Sequence, residues 1–132
     1  MEDGLSVGEA AAKVGLTAYT LRWYEQVGLL EPIPRDSAGR RRYRLSDIER
    51  LDLLTKMRAT GMPVRDMVRY ITLVREGDAT RAERLAMMER HRTAVLQQID
   101  DLQRDLAVID RKIDRYRGFE GVAGKKAGPR RP

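Results

Sequence analysis

Residues 6–28, SVGEAAAKVGLTAYTLRWYEQVG, decide the fold. Ser6 followed three positions later by Glu9 fits a capping box, and Val7, Ala10, Ala11 and Val14 then recur at helical spacing until Gly15. Thr17 can cap a second helix through its hydroxyl, and the run from Ala18 to Val27 ends at Gly28. Two short helices joined by a glycine turn predict a helix-turn-helix, whose second helix is the one that enters a DNA major groove. Side chains at the start of such a helix reach base edges, which makes Thr17, Tyr19 and Thr20 candidate base readers. Arg22 and a tyrosine hydroxyl one turn further on are candidates for phosphate. Leu21 is expected to face the core. Trp23 and Tyr24 are neighbours on the helix and point about 100° apart, so one can be buried while the other is exposed.

Downstream, Leu29, Leu30, Pro32, Ile33 and Pro34 read as extended chain. Five arginines fall between Arg35 and Arg44, opposed only by Asp36, around the turn signal Asp36-Ser37-Ala38-Gly39. A charge cluster of this kind is often just a solvated turn. Here it carries Tyr43 among its arginines and stands between helical units, which favours a two-stranded hairpin, or wing. Ser46-Asp47-Ile48-Glu49 offers another capping box, opening a helix through Ile48, Leu51, Leu54 and Met57 to Gly61. Pro63 sits where a first-turn proline is tolerated, and Val64, Met67, Val68 and Ile71 continue a fourth helix to Glu76 before Gly77-Asp78. Residues 1–76 are expected to form one small domain.

The 132 residues carry 26 Lys and Arg against 20 Asp and Glu, with no cysteine and one histidine, His91. The composition excludes disulfides, thiolate metal sites and cysteine nucleophiles, and no cofactor is expected. Residues 1–77 hold 13 basic and 11 acidic groups, residues 78–116 hold 8 of each, and residues 117–132 hold 5 and 1. The basic excess points to an anionic partner. No apolar run approaches the roughly 20 residues needed to span a bilayer, so neither a membrane span nor a secretory signal is expected. No nucleophile–base pair, metal cluster or phosphate-cradling glycine loop is present, so an enzyme is not expected.

From Thr80 the pattern changes. Leu85, Met88, Arg92, Val95, Ile99, Leu102, Leu106, Ile109, Ile113 and Tyr116 follow at alternating spacings of three and four, and only Arg92 is not apolar. This heptad repeat predicts a helix over residues 80–116, about 54 Å long at 1.5 Å per residue. Such a helix cannot bury its stripe alone, so a homodimer through a coiled coil is expected, with Leu85, Met88, Val95, Ile99, Leu102, Leu106, Ile109 and Ile113 in the interface. Arg92 in the seam either sets register or snorkels to solvent. The Gly-, Pro- and Lys/Arg-rich stretch 117–132 is expected to be a disordered basic tail.

The run Leu21-Arg22-Trp23-Tyr24-Glu25-Gln26-Val27-Gly28-Leu29-Leu30, then Gly39-Arg40-Arg41-Arg42-Tyr43 and Ser46-Asp47-Ile48, resembles the MerR family of bacterial transcription regulators. The resemblance covers residues 5–76 in order, and the helix 80–116 is similar to that family's antiparallel dimerisation helix. It implies a mainly α fold: a winged helix-turn-helix domain followed by a long coiled-coil helix. It also implies a cytoplasmic, nucleoid-associated homodimer that binds an inverted repeat in a promoter and distorts the DNA for RNA polymerase. Carried over by position, it implies DNA contacts from Thr17, Tyr19, Thr20, Arg22, Trp23 and Tyr24, from Arg40, Arg42 and Tyr43 on the wing, and from Arg58 and Arg65 beyond it. Trp23 stands where the family usually has Tyr, so an indole N–H replaces a hydroxyl that could also accept. The short form is similar to the NmlR-like branch, whose members sense through a cysteine in the helix that here carries Lys56; thiol sensing is therefore impossible in this chain. The alternative reading is an architectural or excisionase-like DNA-bending protein, against which the long helix argues.

Overall fold

The structure, a computed structural model, describes residues 4–123, with side chains through residue 119. Five helices carry it: α1 (Val7–Val14), α2 (Ala18–Gln26), α3 (Leu45–Ala59), α4 (Val64–Arg75) and α5 (Arg81–Ala123), with a 3-10 turn at Asp78–Thr80 before the last. None of the described helices is long and apolar enough to cross a membrane.

Local chemistry sets the helix ends. The Ser6 hydroxyl accepts from the Glu9 N–H at 3.1 Å while the Glu9 carboxylate accepts from the Ser6 N–H at 2.8 Å. Together they satisfy two amide donors at the start of α1. Gly15 ends the helix at φ 75°, in the left-handed region where glycine has no steric penalty. The Thr17 hydroxyl accepts from the Thr20 N–H at 3.1 Å and so caps α2, as the spacing predicts. Helix α3 departs from expectation, for it begins at Leu45 rather than after Ser46. The Asp47 carboxylate accepts from the Arg44 N–H at 2.9 Å and from the Arg44 Nε at 2.8 Å. An acid that also binds the preceding guanidinium outcompetes a serine hydroxyl for this helix end.

The core is built from one face of each short helix and the segment that joins them. Leu21, Leu29, Leu51, Leu54, Met67 and Ile71 are fully buried. At about 2 kcal/mol for each such side chain withdrawn from water, this cluster supplies most of the drive to fold. The predicted two-stranded wing is a ladder of isolated bridges, Leu5 with Tyr43 and Arg35 with Arg41, and no continuous strand forms among the described residues. Pro32 and Pro34 supply no N–H, so a regular ladder is broken on that side. What remains is held by the Arg42 N–H on the Pro34 carbonyl at 2.8 Å and by the reciprocal Leu5–Tyr43 pair at 2.7 and 2.8 Å.

The chain divides into two compact units after His91 rather than at residue 76. The first turns of α5 belong to the first unit, where Met88 packs against the core and the His91 Nε2 meets the Thr60 hydroxyl at 2.7 Å. Met88 is thus half-buried against the core of the first unit. Helix α5 also runs through residues 117–123, where a disordered tail was expected; the rest of that tail, 124–132, lies outside the described residues.

The tightest backbone approach is at Gly4, with φ +103°, where an added Cβ would stand 2.6 Å from the Tyr43 carbonyl oxygen. Gly4→Ala is expected to separate the Leu5–Tyr43 pair and to cost about 1–3 kcal/mol in urea unfolding. An unchanged midpoint would refute the close approach.

Candidate nucleic-acid interface

Helix α2 presents its first turn to solvent. Thr17 is exposed, with its hydroxyl on the Thr20 side chain at 3.0 Å, and Tyr19 is 74% exposed and free to reach outward. Thr20 is half-buried and Arg22 exposed. The pair that follows is divided as the helical geometry allows. Trp23 is half-buried against the core, its ring 5.6 Å from that of Tyr24, whereas Tyr24 is only 5% exposed. Tyr43 on the wing is wholly buried. Tyr24 and Tyr43 are thus packed in the core; burial, the largest influence on each, pushes both hydroxyl pKa values up.

The cations are distributed over three elements. Arg40 has its side chain 78% exposed, with Nε 3.3 Å from Asp36. Arg42 is half-buried and donates from Nη2 to the Gly4 carbonyl at 2.6 Å, which anchors the wing to the N-terminal segment. Arg58, exposed in the last turn of α3, lies close enough to α2 for its charge to oppose the upward shift of Tyr24, and Arg22 does the same for Tyr43. The fold thus brings Arg22 to the wing base and Arg58 to the recognition helix. Arg65 is 84% exposed and meets only its neighbour Asp66, at 3.9 Å, so no described contact ties it to the others. Lys56 is also exposed, paired with Asp52 at 2.9 Å.

Residues without an assigned role in the sequence pattern turn out to hold the surface in shape. Glu25 of α2 accepts from the Arg41 Nε at 2.8 Å and from the Ile33 N–H at 3.4 Å, so one carboxylate joins helix and wing. The signal in the sequence was the one acid of this helix, eight residues ahead of Ile33 and close to a run of arginines. At the wing tip, Asp36 accepts from the Ala38 and Arg40 N–H groups at 3.0 and 2.9 Å, and Arg35 donates to the Gly39 carbonyl at 2.7 Å. The tip is closed like an Asx turn, which fixes the direction in which Arg40 leaves it. An exposed helix start with small polar groups beside a rigid cationic loop is the surface of a helix-turn-helix DNA-binding protein.

Comparison with known proteins agrees. The family profile described as MerR HTH family regulatory protein matches residues 5–73, and a second, described as MerR, DNA binding, matches residues 48–112. An uncharacterised HTH-type transcriptional regulator of Haemophilus influenzae is 36% identical over 122 residues, covering 92% of this chain and 90% of its own. The regulator AdhR of Bacillus subtilis is 40% identical over 76 residues, or 58% of this chain and 54% of its own. Among solved structures, HiNmlR, a MerR family regulator lacking the sensor domain and bound to promoter DNA, superposes with a TM-score of 0.81 at 35% identity. The match covers 92% of this chain and 96% of that one. A putative MerR family regulator from Listeria monocytogenes gives 0.83 at 32% identity, with 93% of each chain covered. The chain belongs to the MerR family of helix-turn-helix transcriptional regulators.

The Arg40 N–H, its largest influence, holds the Asp36 carboxyl below the ordinary carboxylate range. A lowered native pKa stabilises the wing turn at neutral pH, and that contribution is lost as pH falls through the lowered value. The Ala38 and Arg40 amides, which donate to this carboxylate, are therefore expected to lose exchange protection in acid, below the usual carboxylate range. The same amides in Asp36→Ala should be poorly protected at every pH; a wild-type profile in the variant would refute the clamp.

Proposed function

We propose that two copies of this chain pair through α5 as an antiparallel coiled coil and grip an inverted repeat within a promoter. One observation carries the dimer. Along α5, Leu85, Ile99, Leu102, Leu106, Ile109 and Ile113 are between 39% and 67% exposed, with Val95 half-buried beside them. At roughly 25 cal/mol per Å² of apolar surface, a stripe of this length is costly to leave in water and well matched to a second copy of itself. A two-fold pair joined by a stiff rod holds two recognition helices at a set separation, so it selects symmetric DNA. Where the half-sites of the relaxed duplex do not match that separation, the DNA deforms, at a cost of a few kcal/mol offset by phosphate contacts. This distortion is how the protein alters the use of the promoter by RNA polymerase; it acts as a regulator and not as an enzyme, in the cytoplasm at the nucleoid.

In this reading Thr17, Tyr19 and Thr20 read base edges, and Arg22, Trp23, Arg40, Arg42, Arg58 and Arg65 bind phosphates. The DNA-bound state of HiNmlR, which is 35% identical to this chain, supports it. Arg40→Ala is expected to weaken binding to all duplexes and to reduce the salt slope by about one, the share of a single phosphate contact. Thr20→Ala is expected to change which operator is preferred, by about 1–3 kcal/mol at one base pair. An equal loss on every sequence would contradict base reading by Thr20. Ile99→Asp places a charge in the seam and is expected to yield monomers in sedimentation velocity; an unchanged dimer would refute the pairing.

A further inference from the structure

The end of the recognition helix and the start of α5 are fastened to the same short stretch of chain, residues 73–77. On one side stands Arg75, the last residue of α4. Its Nε donates to the Glu31 carboxylate at 2.7 Å and its Nη2 to the Leu30 carbonyl at 3.3 Å. Its Nη1 lies beside Gly28, where an added Cβ would stand 3.9 Å away. Gly28, at φ +86°, makes the turn that closes α2, with its own N–H on the Glu25 carbonyl and that of Leu29 on the Tyr24 carbonyl. Helix α2 has no basic residue in its last turn, so the cation that its C-terminal carbonyls favour is supplied by α4.

On the other side, the buried Thr80 hydroxyl donates to the Leu73 carbonyl at 2.6 Å. From the first turn of α5, Arg84 donates through Nε to the Thr80 hydroxyl at 3.0 Å and through Nη2 to the Gly77 carbonyl at 3.2 Å. Gly77 turns the chain between the two helices at φ +90°, a conformation open to glycine and strained for other residues. A guanidinium makes each connection, and its planar fork holds two acceptors in one geometry, as a single ammonium does not. Neither arginine is among the contacts proposed for DNA, and neither lies in the stripe proposed for the second copy. Resting on the promoter-binding function proposed above, we infer that Arg75 and Arg84 are positioning residues for operator spacing. Through the end of α4 they lock α2 to the start of α5, so the separation of the two recognition helices in a dimer is set at this joint as well as by the rod. With the joint loosened, each recognition helix finds its half-site separately, and the gain from binding both at once falls.

The test uses the full chain and measures affinity for a duplex with one half-site and for operators whose two half-sites are moved apart by about 1 or 2 base pairs, each step turning one half-site by roughly a tenth of a helical turn. Arg75→Ala and Arg84→Ala are each expected to remain dimeric in sedimentation velocity and to bind the single half-site as the wild type does, which also shows that they fold. On the best-spaced operator each is expected to lose about tenfold, and the penalty for altered spacing should shrink toward none. A merely structural role predicts equal losses on the single half-site and the full operator. That result, a wild-type spacing profile in either variant, or monomers in sedimentation overturns the joint and leaves the promoter-binding function standing. A wild-type chain that binds every spacing alike contradicts the rigid dimer, and this inference with it.

Discussion

The surface offered to DNA depends on one carboxylate. Glu25 lies on the recognition helix with its oxygens directed at the Arg41 guanidinium and the Ile33 N–H, so helix and wing are held in one orientation. The ion pair is three-quarters shielded from water on both sides, where a charge-assisted bond is worth more than on an open surface. A basic loop left to itself would fray, because arginines repel one another. Here Arg41 is neutralised, Arg42 is tied to the Gly4 carbonyl, and the tip is closed on Asp36. Arg40 projects from this tip, its side chain 78% exposed and its Nε 3.3 Å from Asp36. A second ion pair, Arg75 with Glu31 at 2.7 Å, ties the entry to this loop onto α4.

The other half of the molecule follows a different logic. The short helices bury their apolar faces against one another, whereas α5 keeps its seam exposed over residues 92–116 apart from the half-buried Val95. The first unit extends to His91, held by Met88 on the core and by the His91–Thr60 contact, and the remaining helix keeps an apolar stripe largely exposed. The proposed dimer answers both needs: it buries the seam and sets the spacing of two DNA-reading surfaces.

Much of this was legible in the amino-acid sequence, and what was legible is local. Ser6 with Glu9, Thr17 and Gly15 act within three or four residues, so their pattern is the interaction itself. The heptad period likewise places the exposed stripe of α5. Tyr24 and Tyr43 were harder, because a tyrosine beside arginines reads equally well as a phosphate ligand or a core residue, and only the packing of α3 and the N-terminal segment around them decides. The start of α3 fell the same way. Ser46 had the right type, but Asp47 could bind the Arg44 side chain as well as its amide. Glu25 with Arg41 and Arg42 with Gly4 join residues far apart in sequence, and no short-range pattern encodes such pairings.

The central claim is that a rigid pair of chains reads two half-sites at once, and the affinity for operators of varied half-site spacing tests it most directly. Adding about 5 base pairs between the half-sites turns them to opposite faces of the duplex, and about 10 base pairs restores the face but not the distance. The account predicts that both insertions reduce affinity to that of an isolated half-site. Equal affinity across the series, with one chain bound per half-site, would contradict it.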